Sequence, residues 1–320
     1  MTGTRGGEAA EAFIIEEFDR CKKLGVGAGD EAVAAVMALV GVARSSKAET
    51  VAALEAEVNT AVEELKCLDK PYGSLSAACD MFVRYVVTRQ RGGGGDDQTA
   101  PFSAIKRRLV SRARRFGHIC GGARGTIATL CQDFLLDGCT VLVHGHSAAV
   151  LDALKLAGAS GKRLKVLCTE GRPDGAGMRM AGELAAAGIP ARVLLDLAVA
   201  YAMSEVDMVL VGADVVTETG GVVGVVGTYQ VALVARAMSR PVYVAAESYK
   251  FATLYPLGQK DIKQGVRRPV GFGGQLVPRG VDVETAVRDY TPPQHLELLI
   301  TDLGVLPPPA VGDVLLQLSV

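Results

Sequence analysis

The sequence predicts an α/β fold, an N-terminal helical domain followed by a Rossmann-like parallel-sheet domain. Three observations carry this. Up to about Arg91, apolar residues recur at spacings of three and four with charges between them. After "LLDGC" the rhythm changes to short apolar runs alternating with helical stretches of about 10 to 15 residues. Between the two halves, "RGGGGDDQTAP" is a loop by composition. The expected division is therefore a helical domain over 1–125, with a flexible loop at 92–101, and a Rossmann-like domain over 126–320.

In the first half, "EAVAAVMALVGVARSS" and "KAETVAALEAEVNTAVEELKCL" read as amphipathic helices. A last helix is expected from about Ser103 to Phe116. It holds "KRRLVSRARR", six basic residues in ten positions, while Ile105, Leu109 and Phe116 trace an apolar stripe. That stripe makes the charges a solvated face rather than a nucleic-acid site. In the second half the strand runs are "TVLVHG" (140–145), "LKVLCTE" (164–170), "ARVLLD" (191–196), "DMVLVGAD" (207–214) and "PVYVAAE" (241–247). Alternation of such runs with helices is the pattern of a right-handed parallel sheet covered on both faces.

Composition narrows the function classes. Lysine and arginine total 34 against 35 acidic residues, a formal net charge of -1, which gives no bulk attraction to nucleic acid or to anionic lipid. Seven cysteines without a CxxC pair read as buried free thiols in a reducing cytosol. The N-terminus "MTGTRGGEAAEAF" lacks the apolar core of a signal peptide, and no apolar run reaches the roughly 18 residues of a membrane span, so a cytoplasmic protein is expected.

Open parallel sheets bind ligands beyond the carboxyl ends of their strands, where loops and helix N-termini meet. This chain places His144, His146, Glu170, Arg172, Asp196, Asp214 and Glu247 there. Such a set, without a GxGxxG fingerprint, suits a small polyhydroxylated ligand better than a nicotinamide cofactor, and no cofactor is expected. His144 and His146 lack the third ligand and the spacing of a zinc site, so they read as turn histidines that hydrogen-bond locally, with Ser147 capping the next helix. "GADVVTETGGVVGVVGT" is glycine-rich but has no Walker lysine. "TEGRPDGAG" sets Arg172 directly after a strand, where a guanidinium can cover an anion.

Over nearly its whole length the chain resembles the translation initiation factor 2B regulatory-subunit family, which also contains methylthioribose-1-phosphate and ribose-1,5-bisphosphate isomerases. The resemblance is carried by "CTEGRPDGAGMRMAGELAAAGIP", "VGADVVTETGGVVGVVGTYQVALVARAMSRPVYVAAESYKF" and "DYTPPQHLELLITDLGVLPPPAVGDVLLQL", and within the family it points to the alpha branch. In the isomerases a "THCNxG" cysteine and an aspartate move a proton between adjacent carbons, and a lysine in "NKIGT" lies near the sugar phosphate. The cysteine's place falls on Gly145, the aspartate's on Asp214, and "NKIGT" becomes "GVVGT", with Gly224 and Val225 in place of the amide and the cation. An acid/base pair with one partner missing cannot shuttle the proton.

The resemblance thus implies a non-catalytic regulatory subunit of the guanine-nucleotide exchange factor for initiation factor 2, with aldose-ketose sugar-phosphate isomerase as the alternative. It implies a homodimer through the Rossmann-like domain, assembly with beta, gamma, delta and epsilon subunits, and a helical domain facing the phosphorylated alpha subunit of initiation factor 2. A sugar phosphate is the candidate ligand of a vestigial pocket formed by Lys70, His146, Glu170, Arg172, Asp196 and Asp214. The apolar segment "LLITDLGVLPPPAVGDVLLQL" is expected at the dimer surface.

Overall fold

The computed structural model describes residues 4–25, 30–69, 72–87, 101–265, 271 and 276–319. Lys70 and residues 92–100 of the expected loop lie outside the described residues. Two compact units are present, one comprising Met1–Ala123, Ser248–Thr253 and Gly312–Val320, the other Arg124–Glu247 and Leu254–Val311.

The first unit is built on α1 (Thr4–Lys23), α2 (Glu31–Ser45), α3 (Val51–Leu68), α4 (Ser74–Val86) and the start of α5 (Phe102–Leu130). α2 is the inner helix, with buried side chains on nearly every face from Ala32 to Ala43. It starts where Asp30, in the β region, accepts from the Ala32 N–H at 2.9 Å. The other oxygen of Asp30 accepts from the Tyr249 hydroxyl at 2.8 Å, which ties the returning segment Ser248–Thr253 to this unit. α3 starts at the Thr50 cap and buries Leu54, Val58, Ala61, Val62 and Leu65, a single stripe at helical spacing.

α5 runs 14 residues beyond the expected end at Phe116, straight through Gly117, Gly121, Gly122 and Gly125. Each glycine costs about 1 kcal/mol relative to alanine in a helix, but the buried stripe Leu109, Ala113, Phe116, Cys120, Ala123, Ile127 continues unbroken and outweighs that cost. Gly117 also serves packing, since a Cβ there would lie 2.7 Å from the sulfur of Met37 on α2. Arg107, Arg108, Arg114 and Arg115 are exposed on the opposite side, the solvated face expected from the stripe. Six of the seven cysteines are buried as free thiols and Cys67 is exposed.

The second unit holds, in chain order, β1 (Thr140–Val143), α6 (Ala148–Ala159), β2 (Lys165–Thr169), α7 (Ala176–Ala186), β3 (Ala191–Leu194), α8 (Val199–Ala202), β4 (Met208–Gly212), β5 (Val215–Thr217), β6 (Val222–Val225), α9 (Thr228–Ala237) and β7 (Val242–Ala245). After β8 (Phe251–Ala252), which belongs to the helical unit, come β9 (Arg288–Thr291), β10 (Leu298–Thr301) and β11 (Gly304–Leu306), and then α10 (Ala310–Ser319), which from Gly312 onward belongs to the helical unit. The main sheet has seven strands in the order β11-β10-β7-β4-β1-β2-β3, parallel throughout except for β11 at one edge. All five apolar runs became its strands. Three further strands, β5, β6 and β9, lie consecutively in a small antiparallel sheet.

The chain winds outward from β1 to β2 and β3, then returns to the other side of β1 with β4. The switch point lies between β1 and β4, and the crevice beyond their carboxyl ends is where an open α/β sheet places its ligand. It is tightly made. Ser147 caps α6 through the Val150 N–H at 3.4 Å, and a Cβ on Gly212 at the end of β4 would lie 2.4 Å from the Ser147 hydroxyl. Only glycine lets the two strand ends approach this closely.

Candidate functional site

At the crevice the three positions singled out from the sequence converge. Gly145, just past β1, has φ +75°, and a Cβ there would lie 3.3 Å from Cγ2 of Val225. Val225 closes β6 and pairs directly with Arg288 of β9. Arg288 in turn donates from Nε to Asp214, just past β4, at 3.0 Å. The positions to which the resemblance assigns the isomerase thiol, lysine and acid thus lie in one cluster, as a glycine, a valine and an aspartate held in an ion pair.

A cavity of about 930 Å³ opens beside this cluster. Its walls include His144, Arg172, Asp196, Lys260, Arg288 and Asp289. His144 is buried: Nδ1 lies 2.6 Å from the Thr169 hydroxyl, and Nε2 lies 2.9 Å from the Val226 carbonyl. The carbonyl can only accept, so Nε2 carries the proton and Nδ1 accepts from Thr169. Burial also holds its pKa below the ordinary value, which favours that neutral form. A Cβ on Gly227 would meet the ring at 2.7 Å. His144 is therefore a strut between β1, β2 and the turn before α9, bonded to partners distant in sequence rather than to the local ones expected.

The other expected residues divide. Asp196 accepts from the backbone N–H groups of Gly171 and Arg172, both at 2.9 Å, and so fixes the turn that presents Arg172 to the cavity. Glu170 pairs with Arg172 at 3.1 Å. His146 is turned toward α7, with Nε2 2.9 Å from Glu183, and does not line the cavity. Asp214 reaches it only through Arg288. Glu247 is buried and is not among the lining residues. Among the described residues no three His, Cys, Asp or Glu side chains gather as a metal cluster.

Sequence reading missed Lys260, Arg288 and Asp289. Asp289 is 9% exposed and accepts from the N–H groups of Gly227 at 2.7 Å and Tyr229 at 3.0 Å, at the N-terminus of α9. Its other oxygen has no hydrogen-bond partner among the described residues. Burial raises the carboxyl pKa to about 6 against the opposing effect of those two hydrogen bonds. The folded protein then binds this proton more tightly than the unfolded chain, so its contribution to stability is full below about pH 4 and is lost as pH rises through about 6. Asp289→Asn keeps an acceptor for both N–H groups and removes the titration. Relative to this variant, the wild type is expected to lose on the order of 2 kcal/mol of unfolding free energy between pH 4 and pH 7, read from urea midpoints. Parallel pH profiles for the two proteins contradict the assignment.

The comparisons agree with this architecture. An alpha subunit of translation initiation factor eIF2B from Dictyostelium discoideum is 39% identical over 298 residues, covering 90% of this chain and 91% of that protein. A ribose 1,5-bisphosphate isomerase from Pyrococcus furiosus is 32% identical over 307 residues, covering 94% and 93%. The crystal structure of a Pyrococcus horikoshii translation initiation factor eIF-2B superimposes with a TM-score of 0.69 at 28% identity, over 92% of this chain and 97% of that one. A family model described as the Initiation factor 2 subunit family matches residues 25–308. Initiation factor subunits and isomerases thus both lie among its relatives, and the chain belongs to the Initiation factor 2 subunit family.

Proposed function

We infer that the chain is a non-catalytic regulatory subunit, of the alpha type, in the guanine-nucleotide exchange factor for translation initiation factor 2. The observation that carries this is the state of the Gly145–Val225–Arg288–Asp214 cluster: the isomerase positions are in place, without a thiol, without the lysine, and with the acid in an ion pair. The 39% identity to an alpha subunit over nine-tenths of both chains supports the same reading. The protein works in the cytoplasm beside beta, gamma, delta and epsilon subunits, and its helical unit faces the phosphorylated alpha subunit of initiation factor 2. Among the described residues no helix is long and apolar enough to cross a membrane.

The subunit pairs with a second copy through its α/β unit. The surface that supports this differs from the one expected. Leu299, Ile300, Val311 and Leu315 of the C-terminal segment are buried within the chain, whereas Leu195, Leu197 and Tyr201 are 60%, 88% and 86% exposed. They follow edge strand β3, and Met178 on α7 and Leu233 on α9 add further exposed apolar surface on elements that pack against β3 and α8. A patch of this kind marks an interaction surface.

The cavity beside Arg288 is the vestigial ligand pocket, and a sugar phosphate is the ligand its mixture of cations, carboxylates and amides suits. Regulation is tested by nucleotide release from initiation factor 2, phosphorylated and not, with exchange complexes reconstituted with and without this chain. Without it, basal release is expected to persist in part while inhibition by the phosphorylated factor weakens severalfold. Equal inhibition at matched complex concentration overturns the regulatory role.

A further inference from the structure

We propose that Arg288 supplies, from β9, the phosphate-binding cation that Val225 cannot, so that the cavity selects a small phosphate monoester through this one guanidinium. The proposal rests on the reading of the cavity as a ligand pocket and assigns its anchor.

The geometry starts from the ladder. Val225 and Arg288 are direct partners across the antiparallel β6–β9 pair. Directly opposed residues project to the same face with Cβ atoms about 5 Å apart. A cation lost at 225 is therefore regained one strand away, on the same side of the sheet. The side chain of Arg288 is 21% exposed, lines the cavity and donates from Nε to Asp214 at 3.0 Å. That bond fixes the plane of the guanidinium, whose fork of donors matches a phosphate in two-pronged fashion.

The alternative anchor is already taken. Free N–H groups at a helix N-terminus are a ready site for phosphate. At α9, however, the Gly227 and Tyr229 N–H groups donate to the chain's own Asp289 carboxylate. An incoming phosphate would meet that carboxylate at the helix start, which favours a side-chain cation as its anchor. Of the three cations on the cavity wall, Lys260 is exposed and the Arg172 side chain is 57% exposed, so Arg288 is the most enclosed and the least screened by solvent. Of the nearby carboxylates, Asp196 accepts from two backbone N–H groups, one oxygen of Asp289 accepts from two more, and Asp214 pairs with Arg288 itself, while Glu284 also stands on the wall. Asp214, which the isomerase pattern makes an acid/base group, becomes here a positioning residue for an arginine.

The test is isothermal titration of the full chain with ribose 5-phosphate and, as the uncharged control, with ribose. Wild type is expected to prefer the phosphate by about tenfold or more, the worth of one charge-assisted forked contact. Arg288→Met should abolish that preference. The double variant V225K/R288M should recover it, since lysine at 225 emerges on the same face. Thermal unfolding checks that each variant is folded, and R288Q, which keeps a donor toward Asp214, gives the same readout if R288M does not fold. A preference that survives loss of Arg288 overturns the anchor but leaves the pocket standing. Wild type that binds neither compound, or both equally, overturns the anchor, and the first of these results removes the pocket reading as well.

Discussion

The double substitution L197D/Y201D is expected to turn the proposed dimer into a monomer at micromolar concentration. Leu197 and Tyr201 are 88% and 86% exposed in the single chain, so neither supports its fold by burial, and a fall in the unfolding midpoint reports only the lost association. In a dimer the same side chains lose their water. Burying a leucine or an aromatic side chain is worth about 1.5–3 kcal/mol each, and an aspartate forced into the same place carries a desolvation cost on top. A loss of about 4 kcal/mol or more follows, a thousandfold or greater rise in Kd. Sedimentation velocity distinguishes the outcomes, the single-chain mass being 33.4 kDa. L303D is the control, because Leu303 lies in the C-terminal segment first expected at the interface and is 47% exposed. If L303D separates the subunits and L197D/Y201D does not, the interface lies at the C-terminal segment.

The burial of Leu299, Ile300, Val311 and Leu315 within the chain shows what hydrophobic pattern alone can decide. "LLITDLGVL" is apolar because β10 is an interior strand between β7 and β11, buried on both faces, and an interior strand reads as a continuous apolar run. The same property identified β1, β2, β4 and β7, where helices in between made the pattern unambiguous. β10 has no long helix before it, only a short turn after β9, and the cue was absent. The end of α5 was missed for a different reason. Glycine at 117, 121, 122 and 125 reads as a stop by propensity, yet the stripe through Cys120, Ala123 and Ile127 is buried, and tertiary packing wins over propensity. The returns of the chain at Ser248–Thr253 and Gly312–Val320 depend on contacts such as Tyr249 to Asp30, which no local pattern records.

The candidate site was legible at the ends of the parallel strands and nowhere else. His144, Arg172 and Asp196 follow apolar runs that the eye can find, and all three line the cavity. Arg288 and Asp289 sit in a strand of the small antiparallel sheet, and their partners, Val225, Asp214, Gly227 and Tyr229, are set by register, not by proximity in sequence. One signal was available. In "VRDYT" two charged residues interrupt a run of β-formers ahead of a proline pair, and charges inside a strand pattern need a buried or paired destination.

The purified chain is expected to show no isomerisation of ribose 1,5-bisphosphate or methylthioribose 1-phosphate, and Gly145→Cys alone is expected not to confer it. Loss of one partner of a proton-transfer pair costs about 10²–10⁴-fold in rate. Here three defects combine. Position 145 has φ +75°, a backbone region that disfavours any side chain, and the new Cβ would crowd Val225 at 3.3 Å, so an introduced thiol is both strained and misplaced. Val225 offers no charge where the isomerases resemble "NKIGT". Asp214 pairs with the Arg288 guanidinium at 3.0 Å, so the carboxylate is already engaged by the chain's own cation. The assay is ketose formation over hours at high protein concentration, for wild type, G145C and the triple variant G145C/V225K/R288V, which restores the thiol and the cation and releases the acid. Wild-type turnover above about 1 per second, an ordinary enzyme rate, overturns the regulatory reading. Activity in G145C alone shows that the Arg288 pair does not restrain Asp214. Activity confined to the triple variant shows that the three positions together, and not the missing cysteine by itself, separate this chain from its catalytic relatives.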